Sequence, residues 1–154
     1  MSHELEFERL LDASPEVVFD AFTEPDGQAA FYRQPGPGWI VRSECDLRVG
    51  GVWTVEFGPS EDRIYRHRHV FQVIDRPRRL LMTTTETRLD GSSFDTEMEL
   101  VFEEQEGRTL LRMFHRGFPT AELRDEHTRG LPEAFAQLDR FVGTTLKERG
   151  DSAR

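Results

Sequence analysis

The chain has 154 residues and a formal net charge of −9, with 36% hydrophobic and 32% charged residues and twelve phenylalanines. The aromatic content excludes a disordered tail, and the acidic balance excludes general binding to a nucleic-acid backbone, which requires a basic surface. No stretch reaches the ~20 apolar residues of a membrane span, and the single Cys45 excludes an intrachain disulfide. The N-terminal segment has no apolar signal-peptide core. We therefore expect one cytoplasmic domain over 1–154, with an ordered core at about 4–148.

The N-terminal third of the chain predicts a strand followed by two helices. Acidic and apolar residues alternate over 4–11, which is typical of a strand with one solvent-facing side. Ser14, Pro15 and Glu16 form the start signal of a helix, because they supply a cap, a first-turn proline and an early acidic residue. A second short helix is predicted around 29–31.

From Trp39 to about Gly117 the hydrophobic pattern changes to a period of two, which predicts an antiparallel sheet. The predicted strands are 39–46, 52–57, 64–75, 80–89, 94–103 and 108–116. The turns predicted between them are Gly50-Gly51, Gly58-Pro59, Arg76-Pro77, Asp90-Gly91 and Glu106-Gly107. Residues 120–148 return to helical spacing, with Pro132 predicted to bend or restart that helix. The order predicts an α+β domain with helices on one face of the sheet.

Alternation assigns one face of the predicted sheet to the interior, and that face is apolar with polar residues among the aromatics. Its members are Trp53, Val55, Phe57, Tyr65, His67, His69, Phe71, Val73, Leu80, Met82, Thr84, Phe94, Thr96, Met98, Leu100, Phe102, Thr109, Leu111, Met113 and His115. A curved sheet around one long helix often leaves space, and such space becomes an apolar pocket with a few polar groups. Periodicity alone leaves a solid core equally open.

Five motifs spread over about 8–146 resemble the START-like SRPBCC superfamily, in the branch related to the activator of the ninety-kilodalton heat-shock-protein ATPase. The motifs are the opening at 12–25, DLRVGGVW at 46–53, VIDRPRRL at 73–80, TLLRMFH at 109–115 and HTRGL at 127–131, followed by Leu138. The resemblance implies the helix-grip fold, in which a curved antiparallel sheet wraps a long C-terminal helix around a hydrophobic cavity.

Two positions depart from the family pattern. Leu131 stands where the family has tryptophan, and Phe31-Tyr32 replaces the usual aromatic pair after the first helices. Both positions are expected at the wall or mouth of the cavity, so the ligands of relatives cannot be transferred to this chain.

The inward histidines His67, His69 and His115, together with His127 on the last helix, are the strongest candidates for chemistry. They lack the close spacing of a known metal motif, so we predict neither a metal site nor a cofactor, and we expect the imidazoles to bond a polar ligand group instead. No nucleophile, base and orienting group are fixed together, so no catalytic residue is assigned.

We therefore expect non-enzymatic binding of a small hydrophobic or amphipathic molecule between the sheet and the C-terminal helix. The predicted ligand-binding residues are Trp53, Tyr65, His67, His69, Phe71, Met82, Met98, Met113, His115, His127, Leu131 and Phe135. Two alternatives stay open: a polyketide cyclase- or dehydratase-like enzyme that uses Tyr65 and a cavity histidine, and a chaperone-associated interaction module. An exposed edge strand also leaves a homodimer open.

Overall fold

The computed structural model describes residues 3–34 and 37–153, with side chains described up to residue 143. Its elements are β1 (His3–Leu11), α1 (Pro15–Thr23), α2 (Pro25–Tyr32), β2 (Ile40–Cys45), β3 (Val52–Ser60), β4 (Arg63–Asp75), β5 (Arg79–Thr87), β6 (Ser93–Gln105), β7 (Arg108–Phe118) and α3 (Ala121–Ala153). The predicted α+β helix-grip architecture is confirmed. The ordered core is predicted to end at about residue 148. That residue lies beyond the last described side chain, so its position stays a prediction.

The seven strands form one curved antiparallel sheet in the order β1-β7-β6-β5-β4-β3-β2. Strands β2 to β7 follow one another as a meander, and β1 pairs with β7 at the far edge. Helix α3 lies against the inner face, where the Phe135 ring contacts Phe7 of β1 and Phe31 of α2 at centroid distances of 4.8 and 5.5 Å. Within the described residues, no helix combines the length and the apolar character needed to cross a bilayer.

Two helices begin where short polar side chains cap them. The Ser14 hydroxyl accepts a hydrogen bond from the Val17 amide at 3.4 Å, and Pro15 occupies the first turn of α1. The Thr120 hydroxyl accepts one from the Leu123 amide at 3.1 Å at the start of α3. Helix α3 is continuous through Pro132, so the predicted restart does not occur.

A β-bulge in β4 overturns one predicted orientation. Phe71 pairs with Met82 and Val73 with Leu81, so the residue between them has no partner and the alternation shifts by one position. Ile74 therefore packs against the core, and the inward orientation predicted for Val73 is wrong.

The turn predicted at Gly58-Pro59 is also wrong, because both residues lie inside β3 and the chain turns at 61–62. Gly58 is nevertheless required where it stands: a Cβ atom there would lie 1.9 Å from the carbonyl oxygen of Arg63. The glycine therefore permits close approach of two strands where the β3–β4 register is irregular.

One end of the inner face is solidly packed. Phe19 and Phe22 of α1 are buried there, and the Phe19 ring lies 5.2 Å from that of Phe102 on β6. Polar groups in this region are bonded to one another, because the Trp53 indole donates to the Ser43 hydroxyl at 2.8 Å and that hydroxyl donates to Gln28 at 2.7 Å. The Gln28 amide in turn donates to a backbone carbonyl of α1 at 3.2 Å.

Candidate functional site

The other end of the inner face contains a partly open cavity of about 590 Å³ under the N-terminal half of α3. This volume lies within the range of small-molecule sites, roughly 300–1,000 Å³. The apolar side chains that line the cavity include Leu5, Phe31, Phe57, Met98, Met113 and Leu131. Tyrosine, histidine and glutamate side chains also line the cavity, among them Tyr32, Tyr65, His67, Glu86, His115 and His127. The cavity therefore combines apolar walls with a polar region.

Glu86 is the centre of that polar region. It is 3% exposed, and its Oε1 atom lies 2.8 Å from Nε2 of His67 and 2.6 Å from Nε2 of His127. An ionised carboxylate only accepts hydrogen bonds, so both imidazoles donate to it. Three elements, β4, β5 and α3, thus meet at a single carboxylate oxygen.

Local structure accounts for this meeting. Alternation along β4 directs His67 inward, and the register between β4 and β5 places Glu86 directly opposite it. His127 lies one turn after Leu123 on α3, and its Nδ1 atom donates to the Leu123 carbonyl at 2.8 Å. This bond fixes the ring so that Nε2 points to Glu86.

Charge and burial act against each other in this cluster. Burial alone would raise the pKa of Glu86, but the charge of His67 and the hydrogen bonds from His127 and His67 outweigh it and lower the pKa below its usual range. Burial would lower the pKa of His127, and the hydrogen bond and charge of Glu86 outweigh it and raise that pKa. Both shifts therefore favour the charged forms, a carboxylate at Glu86 and a protonated imidazole at His127.

The second carboxylate oxygen of Glu86 is not satisfied. Oε2 is buried and has no hydrogen-bond partner among the described residues. Nε2 of His115 lies 3.9 Å away, beyond hydrogen-bond distance, and bonds the Thr96 hydroxyl at 2.7 Å instead. Burial lowers the pKa of His115 to about 3, partly opposed by the charge of Glu86, so this imidazole is neutral. One buried oxygen of the carboxylate beside the cavity therefore lacks a hydrogen bond among the described residues.

Behind His67, a second set of hydrogen bonds leads into the core. The Tyr32 hydroxyl lies 2.9 Å from Nδ1 of His67 and 3.2 Å from Nε2 of His69, whose Nδ1 lies 2.7 Å from the Thr84 hydroxyl. Burial lowers the pKa of His69 well below its usual value. Burial and the charge of Glu86 raise the pKa of Tyr32. A protonated phenol thus joins a neutral imidazole to the cluster.

The structure divides the predicted ligand-binding residues into two groups. The group on the cavity wall is Tyr65, His67, Met98, Met113, His115, His127 and Leu131. The group inside the packed core is Trp53, His69, Phe71, Met82 and Phe135, all 1% exposed or less. The His69 ring stacks on Trp53 at 4.2 Å, which explains why it supports the site from behind rather than facing the cavity.

Sequence reasoning missed two members of the site, Glu86 and Tyr32. Glu86 continues the inward alternation of Leu80, Met82 and Thr84 along β5, so an acidic residue on a buried face was the signal available. Tyr32, expected only at the cavity mouth or wall, makes the bonds to His67 and His69. Tyr65, the tyrosine expected to act with those histidines, stacks on Phe57 at 5.5 Å.

The cluster also bears on the prediction that the chain has no metal site. That prediction rested on the wide spacing of the histidines in the sequence, but the fold brings donor atoms of His67, Glu86 and His127 within 4.8 Å of one another. The buried carboxylate can accept a hydrogen bond or exchange protons with the imidazoles, and the three side chains together offer two nitrogen atoms and one oxygen atom as metal ligands.

A family model with the description "Activator of Hsp90 ATPase homolog 1-like protein" matches residues 12–143. No curated protein matches the chain. Among solved structures, protein CV1439 from Chromobacterium violaceum is similar, with a TM-score of 0.78, 22% identity, and 90% of this chain and 96% of that chain covered.

Two further structures show the same likeness. A protein from Rhodobacter sphaeroides has a TM-score of 0.75 and 25% identity, with 92% of this chain and 93% of that chain covered. The AHSA1-like protein from Aeromonas hydrophila has a TM-score of 0.68 and 20% identity, with coverage of 93% and 94%. Identities at this level support the fold.

Proposed function

The chain belongs to the Activator of Hsp90 ATPase homolog 1-like protein family, and within that family we propose that it binds a small amphipathic molecule in the cavity beneath α3. The molecule has an apolar body and a hydrogen-bond donor, such as a hydroxyl, at its buried end. The observation that carries this proposal is the buried Oε2 atom of Glu86, which lacks a hydrogen bond among the described residues and belongs to a side chain that lines a cavity with apolar and polar walls.

The apolar walls supply the affinity. Met98 and Met113 face the cavity from β6 and β7, Leu5 from β1, and Leu131 from α3. Burial of apolar ligand surface contributes about 25 cal/mol per Å². Methionine side chains adapt their shape to irregular ligands, so these walls favour a class of molecules over one compound.

The Glu86 carboxylate supplies the orientation. Its Oε1 atom is occupied by His67 and His127, while Oε2 is buried without a partner among the described residues. A buried acceptor without a partner costs about 1–3 kcal/mol, and hydrogen bonds to charged groups contribute about 1.5–3 kcal/mol. A ligand that brings a donor to Oε2 therefore gains free energy that an apolar analogue does not.

A matched pair of probes tests this directly: 4-hexylphenol, which donates a hydrogen bond, and its methyl ether, which does not. The protein is first treated with a chelator, and affinity is measured by titration calorimetry and by thermal shift. We expect one molecule of the phenol per chain, bound about 10–100-fold more tightly than the ether.

One variant fills the cavity, and a second variant with the same substitution on the surface serves as its control. Leu131→Trp places an indole in the cavity and should abolish binding of both probes, whereas Leu10→Trp, at a 36% exposed position on β1, should leave binding unchanged. The proposal would be contradicted if neither probe binds to the wild-type protein, or if both bind to it with equal affinity.

A cyclase- or dehydratase-like enzyme is the second candidate, favoured by the contact of an ionised carboxylate with two imidazoles. Such a group can take a proton from a ligand and return it at another atom. Chemical change of a bound aromatic polyketide, lost in Glu86→Gln while binding persists, would establish it. An unchanged compound after prolonged incubation would leave binding as the function.

The name of the family points to a third candidate, an interaction with the chaperone Hsp90. Such a role would use the outer surface and not the cavity. Measured stimulation of chaperone ATPase activity that is equal in the wild-type protein and in Leu131→Trp would support this role and separate it from ligand binding.

A further inference from the structure

We propose that His67, Glu86 and His127 bind one Zn²⁺ ion at the polar region of the cavity. The three side chains come from β4, β5 and α3, and one ligand atom of each lies within 4.8 Å of the other two. Two imidazole nitrogens and one carboxylate oxygen form a set that zinc prefers, with bond lengths of about 2.0–2.2 Å. The site does not depend on the small molecule proposed above.

The orientation of both imidazoles suits a metal ion. Nδ1 of His127 is committed to the carbonyl of Leu123 at 2.8 Å, so its proton lies there and Nε2 is the atom that faces the cluster. Nδ1 of His67 lies 2.9 Å from the Tyr32 hydroxyl. That hydroxyl can accept a hydrogen bond from Nδ1–H of His67 and donate one to His69. Metal-binding histidines are normally held in this way by a partner on the second ring nitrogen.

The carboxylate provides the independent observation. The Glu86 side chain is 4% exposed, lines the cavity, and carries an unpartnered Oε2 atom. A buried carboxylate requires positive charge nearby, and in the metal-free protein hydrogen bonds from two imidazoles meet that requirement at Oε1. A divalent cation replaces the two Nε2 protons and uses lone pairs that are already directed at one point.

Three protein ligands leave one tetrahedral position open. Because the cluster borders the cavity, we expect that position to face the cavity, where a water molecule or a ligand donor atom completes the coordination. Nitrogen and oxygen ligands in this ratio favour zinc over magnesium or calcium, which prefer oxygen alone.

The test uses the metal alone, without organic ligand. The full chain is stripped with a chelator and titrated with Zn²⁺ in competition with a chromophoric chelator, and stoichiometry is read by native mass spectrometry. We expect one ion per wild-type chain and a rise in the unfolding temperature. Glu86→Gln and His127→Gln should each weaken binding by at least about 10–100-fold.

Controls separate this site from surface binding and from misfolding. His3→Gln removes a histidine of β1 outside the cluster and should bind zinc like the wild type. Circular dichroism establishes that each variant is folded, and His67→Gln, at a position with a 12% exposed side chain, replaces Glu86→Gln if the latter does not fold. Tyr32→Phe should weaken zinc binding less than loss of a ligand does.

Two outcomes would overturn the proposal. One is a folded wild-type protein that retains no zinc at micromolar concentrations of the free ion. The other is equal zinc affinity in the wild type and in folded Glu86→Gln, His67→Gln and His127→Gln. Because no organic molecule is present, either outcome leaves the proposed ligand binding to be judged by its own experiment.

Discussion

The two ends of one sheet face differ in what the helices bring to them. At the packed end, α1 supplies Phe19 and Phe22, both buried. At the open end, α3 supplies His127, the side-chain-free Gly130 and Leu131, and a Cβ atom added to Gly130 would meet nothing within 4 Å. Strand alternation directs side chains inward at both ends. The partner helices therefore contribute to how fully each end of the sheet face is filled.

The largest expected contrast comes from truncating one side chain at each end. Phe19→Ala should lower the free energy of unfolding by about 3–5 kcal/mol, because the fully buried ring leaves a void against Phe102. Leu131→Ala should cost no more than about 2 kcal/mol, since it only enlarges an existing cavity. Urea unfolding of both variants measures the difference. Equal losses would mean that the open end is as tightly packed as the other.

A smaller contrast concerns buried polar groups. Ser43→Ala removes the hydroxyl between Trp53 and Gln28, so the Trp53 indole N–H and the Gln28 Oε1 atom lose this partner at the packed end, which should cost about 1–3 kcal/mol. Thr87→Ala at the cavity wall should change stability by about 0.5 kcal/mol or less. Urea unfolding again gives both values. A neutral Ser43→Ala would show that the bonded network is not needed for packing.

The smallest expected effect on stability comes from a carboxylate on the outer face of the sheet, Glu99. Hydrogen bonds from Arg116 and Arg79 lower the pKa of Glu99 below its ordinary value of 4.5, against the opposing effect of burial. A carboxyl with a lowered folded-state pKa contributes stability above pH 4.5, and this is lost as pH falls through the folded-state value.

The corresponding variant is Glu99→Gln, which should cost about 0.5–1.5 kcal/mol at pH 7. The difference from the wild type should shrink as the pH falls below 4.5. Thermal unfolding from pH 3 to 7 provides the measurement. A difference that is independent of pH would assign the effect to packing instead of charge.

Most of the fold could be predicted from the sequence because hydrophobic periodicity is local. The six strands after residue 39 and the cap at Ser14 were expected within a few residues of their positions. The prediction failed at Val73 and at Gly58-Pro59, where a bulge and an irregular register depend on the neighbouring strand. Pairing between strands is not encoded in the period of one strand.

The candidate site was predictable only in part, for the same reason. Inward-facing His67 and His115 follow from alternation, and both line the cavity. His69 has the same pattern as His67, yet it is stacked on Trp53 in the core. The role of Glu86 becomes visible only when β5 is placed beside β4 and under α3, because its partners are 19 and 41 positions away in sequence.

The proline inside α3 interrupts the backbone hydrogen bonds of the helix in the turn that borders the cavity. Pro132 has no amide hydrogen, so the carbonyl of Thr128, on the exposed side, has no helical partner at that step. Gly130, two residues earlier, weakens the same turn by about 1 kcal/mol relative to alanine. The turn of α3 beside the cavity therefore has one backbone hydrogen bond fewer than a regular helical turn and contains a glycine, so it costs less free energy to unwind than the same turn built with alanine at both positions.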